Sequence, residues 1–306
     1  MLREICHRID WVLVGGRWTR ISVMGTNLSS ESFHENKYDV ENCVVVLMIP
    51  GNPGNEGFYR DFGQKVLRSL LSREERMGNR ERHYLFYTSS ERFQLDEQVQ
   101  HKLDFVLEHL PKAAKIYILG HSIGAYMMLR ILPYIKDEFN VKKAIGLFPT
   151  VEKLADSPNG LRLRRVLAML DSNQWLAKLL SFWLDYIPNS MKRWLVLWNV
   201  DGDVAPDNVI VAATELLNMN VFRNIVHLSN DEFNKVNDLD DTLVVNKELL
   251  YFYYGKQDGW CPEELGYLME QRLPDGHVLV DEQGCEHAFV IRDGATIAEK
   301  LLQFIK

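Results

Sequence analysis

Between Tyr117 and Tyr126 the sequence reads YILGHSIGAY, which sets Ser122 between two glycines as Gly120-x-Ser122-x-Gly124. A serine hydroxyl is a poor nucleophile at its own pKa and needs a base to take its proton. This spacing offers a strand that turns abruptly into a helix and leaves the hydroxyl exposed above a sheet. The glycines let the two backbones approach without a Cβ clash. The chemistry on offer is attack on an acyl carbonyl. A packed strand–helix junction of small residues would give the same three positions, so the assignment depends on partners elsewhere in the chain.

In the chain order that accompanies such a turn, an acid follows the serine and a histidine comes last. Of nine histidines, His287 in CEHAFV is the one in a loop after the last expected strand, where the base belongs. His121 adjoins Ser122 but faces another direction across the turn and is read as part of the pocket floor. His101 and His109 fall on an expected helix as surface or packing residues. Asp258, in YYGKQDGWCP, follows a strand and is placed to orient the imidazole and stabilise its cationic form. Glu152, after KAIGLFPT, is the alternative acid. The developing oxyanion needs N–H donors. One is the backbone N–H of Ile123, immediately after the serine. The second is sought in IPGNPG, where Pro50 and Pro53 have no N–H, which points to Asn52 with Gly51 and Gly54 allowing close approach.

Other chemistries lack their signatures. GNPGNEG has no GK[ST] ending for a phosphate-cradling loop, and the glycines do not match the dinucleotide fingerprint. The scattered histidines, cysteines and acids show no metal-ligand spacing, so neither cofactor nor metal is expected.

The elements that must position these residues are legible as hydrophobic patterns. IDWVLV, Gly15-Gly16 and RWTRISVM read as a β-hairpin. A polar stretch over 25 to 42 reads as a loop. CVVVLMI (43 to 49) is a continuous β-branched run, as expected of a strand buried on both faces. A helix over 58 to 71, the strand RHYLFYTS (82 to 89) and a helix between Leu95 and Leu110 follow. IYILG is then a strand, IGAYMMLRIL a helix and KAIGLFP (143 to 149) a strand. LLYFYYG (249 to 255), HVLV (277 to 280) and a closing helix TIAEKLLQFI complete the series. Alternation at this spacing predicts a mainly parallel, doubly wound α/β sheet.

Residues 151 to 247 break the alternation. They hold four of the seven tryptophans (Trp175, Trp183, Trp194 and Trp198) among leucines, with basic residues from Arg162 to Arg193 between them. The expected organisation is a core formed by 1–150 and 248–306, with 151–247 inserted before the last two strands as a helical cap or lid. Tryptophan and Lys/Arg favour the headgroup boundary of a lipid layer. From 161 to 200 the apolar run is interrupted at Asp171-Ser172-Asn173 and at Pro188-Asn189, which suits short helices lying on a monolayer rather than spanning a bilayer. The plain alternative is a lid packed over the core.

Composition bounds the reading. The chain of 306 residues, 46% hydrophobic and 25% charged, can bury a large core. Its net charge of -7 argues against nucleic acid as a partner. The four cysteines form no CxxC pair and are read as reduced thiols on the cytosolic side. MLREICHRIDWVLV carries no secretory pattern, and the chain lacks an apolar run of about 18 residues that would span a membrane.

Taken together, IPGNPG with Phe58-Tyr59 shortly after, GHSIGAY, LFPTVEK leading to SPNG (157 to 160), FYYGKQDGWCP and HAF (287 to 289) resemble the lipid droplet-associated hydrolase family of the α/β-hydrolase superfamily. The motifs run from about residue 43 onward. The resemblance implies an α/β-hydrolase fold with Ser122 as nucleophile, Asp258 as acid and His287 as base. It further implies a serine hydrolase at lipid droplets and the endoplasmic reticulum, on the cytosolic face, with sterol esters or other neutral lipid esters as substrates. Two alternatives stay open: a droplet-surface tethering protein with a vestigial pocket, and an acyl thioesterase using the same triad.

Overall fold

The computed structural model describes residues 4–26, 28, 43–77, 82–88, 94–200 and 205–305, with the backbone alone for 73–77, 82–88 and 200. Of the loop expected over 25 to 42, residues 27 and 29–42 lie outside the described residues, as does Ser89 at the end of RHYLFYTS.

The N-terminal strands β1 (Cys6–Val14) and β2 (Arg17–Gly25) pair antiparallel. Their two-residue turn requires positive φ at both positions, and Gly15 (φ 53) and Gly16 (φ 79) supply it without a Cβ penalty. Behind the hairpin run β3 (Cys43–Ile49), β4 (Arg82–Thr88), β5 (Lys115–His121), β6 (Val141–Leu147), β7 (Leu250–Tyr254) and β8 (Val278–Val280). The sheet order is β1-β2-β4-β3-β5-β6-β7-β8, with β2 antiparallel to β4 and every later neighbour parallel. All seven residues of β3 are buried, which is why its sequence is an unbroken apolar run rather than an alternating one.

Helix α1 (Arg60–Met77) carries the chain from β3 to β4, and α2 (Leu95–His109) returns it across β3 to β5. Right-handed crossovers in opposite directions place these two helices on opposite faces of the sheet. Helix α3 (Ile123–Ile135) packs with α2, and α10 (Gly294–Phe304) packs with α1. The helix expected over 58 to 71 is displaced. The Asn55 side chain accepts from Gly57 N–H at 2.8 Å and tightens Glu56–Tyr59 into a 3-10 turn, so α1 begins at Arg60. It also runs to Met77, because REERM (73 to 77) are good helix formers even where the apolar period stops. The strand expected at 143 to 149 sits two residues earlier, since Phe148 turns out of it at φ 47.

Between β6 and β7 the described chain is helical: α4 (Pro158–Ser172), α5 (Gln174–Ser181), α6 (Asn189–Val200), α7 (Asp207–Leu216) and α8 (Met219–Lys235), with short 3-10 turns. These helices bury two small clusters of their own. One joins Leu170, Ala177 and Val226, and the other joins Val196, Ala205, Val209 and Ile210. The main core fills both faces of the sheet. The remaining helix, α9 (Glu263–Glu270), lies between β7 and β8 in the chain.

Candidate active site

The loops that leave the carboxyl ends of β3, β5, β7 and β8 converge, as ligand-binding loops do in open parallel sheets. Ser122 follows β5 and stands at φ 54, ψ -125, a conformation a serine adopts only when its surroundings impose it. Those surroundings are visible. Ser122 N–H donates to Leu147 O at 3.0 Å, and Ser122 O accepts from Thr150 N–H at 3.2 Å and Ala125 N–H at 3.0 Å. Gly124 explains the motif's third position: a Cβ there would overlap the carbonyl oxygen of Ile49 and lie 2.7 Å from that of Pro50.

Ser122 Oγ lies 2.9 Å from His287 Nε2, and His287 Nδ1 lies 2.6 Å from Asp258 Oδ2. Ser122 and His287 are half-buried, whereas the Asp258 side chain is fully buried. Four donors converge on that carboxylate: Trp260 N–H and Cys261 N–H at Oδ1, the Cys261 thiol and the imidazole at Oδ2. Burial alone would raise its pKa, but the His287 and Cys261 hydrogen bonds and the Trp260 N–H outweigh burial and hold it below the usual carboxylate range. The alternative acid, Glu152, is buried elsewhere and pairs with Arg272 Nη1 at 2.9 Å. Asp258, and not Glu152, reaches the imidazole.

His121 is more than pocket floor. Its Nε2 lies 2.9 Å from the His287 carbonyl oxygen, which can only accept, so Nε2 carries the proton and Nδ1 is an acceptor. Burial, reinforced by His287, lowers its pKa to about 3, so the ring is neutral. Tyr59 Oη therefore donates to His121 Nδ1 at 2.6 Å and accepts from Gly51 N–H at 3.0 Å. A single chain of hydrogen bonds ties the loop after β3 to the serine turn and to the backbone of the histidine. In that loop a Cβ on Gly51 would lie 3.0 Å from Ser122 Cβ, so the backbone at Gly51 runs close beside Ser122. Ile123 is buried at the first position of α3, where its N–H has no intrahelical acceptor.

Two features escaped the sequence. Tyr59 was visible only as part of a motif, with no signal for its role. Cys261 lay in QDGWCP, yet its spacing from His287 did not suggest contact. The fold nevertheless brings Asp258, Cys261 and His287 together, with one potential ligand atom from each lying within 4.8 Å of the others. Sequence spacing does not announce this grouping. Its atoms are bonded to one another, and burial, with Asp258 adding to it, pushes the thiol well above its ordinary pKa. Cys261 thus acts here as a thiol donor rather than a thiolate.

A mainly parallel sheet with the nucleophile turn after β5, an acid after β7 and a histidine after β8 defines an α/β-hydrolase. A solved membrane phospholipase A, described as a bacterial virulence factor, shares the fold at TM-score 0.63. It is 12% identical, covering 98% of this chain and 86% of that one. A family profile described as lipid-droplet associated hydrolase matches residues 42–290, and the chain belongs to that family. The lipid droplet-associated hydrolase of Drosophila melanogaster is 30% identical over 83% of this chain and 86% of its own length. The Homo sapiens relative of the same description is 28% identical over 99% and 96%.

Proposed function

We propose that this chain is a serine hydrolase that cleaves lipid esters, sterol esters or other neutral esters among them, at the surface of a lipid droplet or of the endoplasmic reticulum. The observation that carries the reading is the unbroken contact from Ser122 Oγ through His287 to Asp258 at 2.9 and 2.6 Å. Ser122 Oγ attacks the acyl carbonyl as His287 Nε2 takes its proton. The imidazolium then returns that proton to the departing alcohol, and water activated by the same nitrogen frees the acid. Asp258 keeps the proton on Nδ1. Ile123 N–H and Asn52 N–H are the oxyanion donors in this reading. Gly51 N–H is already engaged by Tyr59, which supports Asn52 as the donor from its loop.

The lipid partner is supported by the family and by the outer surface of residues 161–200, which act in this reading as a cap. Leu161, Trp175, Leu179, Trp183, Trp194 and Trp198 are exposed there, with Arg162, Arg165 and Lys178 among them. No single helix among the described residues is long and apolar enough to cross a membrane, and α7 and α8 reach that length only together, across an 87° bend; in this reading residues 161–200 meet the lipid interfacially. A fluorophosphonate probe should label the wild type and spare Ser122→Ala; equal labelling of both would sink the assignment. The same exposed tryptophans favour a second reading, a droplet-surface tether. Full retention of the cellular effect on droplets by Ser122→Ala would select it.

A further inference from the structure

The loop after β3 does not rest on the sheet alone. Beyond Gly51 its polar groups are taken up by the inserted helices. Asn52 Nδ2 donates to Ser229 Oγ at 3.0 Å and to Glu232 Oε1 at 3.2 Å, both on α8. Further along, Asn55 Nδ2 donates to Glu215 Oε2 at 2.9 Å, and Asn208 Nδ2 to Gly57 O at 2.8 Å, joining the loop to α7. Gly57 is pressed so closely on α7 that a Cβ would lie 2.9 Å from Ala212 Cβ. On the other flank the Phe233 ring of α8 stacks on Trp260 at 6.3 Å, and Trp260 lies 6.4 Å from the His287 ring. Helix α8 therefore contacts both the loop that carries Asn52 and the loop that carries Asp258.

Glu232 is an expensive residue for this place. It is only 7% exposed, and burying a carboxyl costs free energy that a leucine would not. Burial raises its pKa to about 8, against the opposing Asn52 hydrogen bond and with Asp231 adding to the rise. Such a group must be held for what it contacts, and what it contacts is Asn52.

We propose that Glu232 and Ser229 are positioning residues for the oxyanion hole. By fixing the Asn52 side chain they fix the peptide whose N–H faces the reacting carbonyl, so turnover requires α8 to be seated on the loop. This rests on the reading of Ser122 as nucleophile. Losing one oxyanion donor outright costs about 10²- to 10³-fold in kcat, and a donor that is present but loose should cost less.

The experiment compares Glu232→Leu, Glu232→Gln and Asn52→Ala with wild type, using a short-chain nitrophenyl ester and the fluorophosphonate probe. Glu232→Leu is expected to melt no lower than wild type, yet to lose roughly 30-fold in kcat with little change in KM. Glu232→Gln, which keeps the acceptor oxygen, should restore most of the rate. Asn52→Ala removes the other end of the same contact and leaves the N–H in place, so it should match Glu232→Leu. The double variant should lose no more than either single one. Should Glu232→Leu fail to fold, Asn52→Ala and Glu232→Gln still decide the question. Labelling of Ser122 at wild-type rates in Glu232→Leu or Asn52→Ala overturns the positioning role alone. If wild type is not labelled at Ser122 at all, it is the hydrolase reading that fails.

Discussion

Replacing Asp258 with asparagine tests the relay at its most constrained point. Asp258 Oδ1 accepts two backbone N–H groups, from Trp260 at 2.7 Å and Cys261 at 3.2 Å. Those donors cannot turn away, so an asparagine must place its carbonyl oxygen there and its NH2 where Oδ2 now meets the imidazole at 2.6 Å. Two donors would then face each other. The ring relieves this by moving its proton from Nδ1 to Nε2, which points an N–H at Ser122 Oγ across 2.9 Å and removes the lone pair that must accept the serine proton. The expected loss is about 10⁴ in rate, or roughly 5.4 kcal/mol of transition-state stabilisation. Glu152→Gln is the matched control. Its carboxylate pairs with the part-exposed Arg272, so the change should cost about 2 kcal/mol of stability and leave the relay intact. The assay is the rate of fluorophosphonate labelling beside a thermal melt of each variant. Labelling of Asp258→Asn within tenfold of wild type refutes the argument, as does loss of labelling in Glu152→Gln at an unchanged melting temperature.

Other substitutions probe the supports. The folded chain holds the Glu232 proton to about pH 8 and the unfolded chain releases it near 4.5, so stability falls as pH rises between those values and levels off above. At about 1.4 kcal/mol per pH unit, the advantage of Glu232→Gln over wild type in urea unfolding should grow by up to about 5 kcal/mol between pH 4.5 and 8; a flat difference would exclude the linkage. Gly124→Ala drives a Cβ into the Ile49 carbonyl and should cost about 3 kcal/mol in the same measurement. Tyr59→Phe strands Gly51 N–H and His121 Nδ1 and should destabilise by about 2 kcal/mol while lowering kcat; an unchanged kcat would detach this network from the reaction. Asp171→Ala cuts the contacts of α4 to His227 and Asn230 of α8, both at 2.9 Å, and should lower kcat on vesicle-borne ester more than on a soluble one. Equal losses on both substrates would refute a mechanical link through α8.

The nucleophile turn was legible because its requirements are local: an apolar strand, two glycines that admit Ile49 and Ala125, and an apolar helix directly after. Periodicity does not separate Asp258 from Glu152, because each follows a strand. The lateral order of the sheet separates them. His287 enters from the loop after β8, whose neighbour is β7, and Glu152 leaves from β6, one strand further away. Strand order is a long-range property that hydrophobic periodicity does not encode. The start of α1 departs from the apolar period for a local reason, a side-chain cap from Asn55 that winds the first turn as a 3-10 helix. The contacts of Asn52 with Ser229 and Glu232 join residues 177 and 180 positions apart, and no pattern near either end announces them.

The arrangement of the inserted helices gives their two kinds of surface a common purpose. Exposed tryptophans and leucines lie on α4, α5 and α6, whereas the contacts to the loop after β3 come from α7 and α8. Polar bonds join the two groups: Asp171 of α4 to α8, Gln174 of α5 to Arg223 of α8 at 3.0 Å, and Arg193 of α6 to Asp207 of α7 at 2.8 Å. Helices with exposed tryptophans are thus bonded to the helices that contact the loop beside Ser122. The free energy of seating tryptophans at an interface is available to these helices only where an interface is present. In the proposed function that energy would add to the contacts that already seat α8 on the loop, so a variant that cuts α4 from α8 should weigh more on interface-borne ester than on a soluble one.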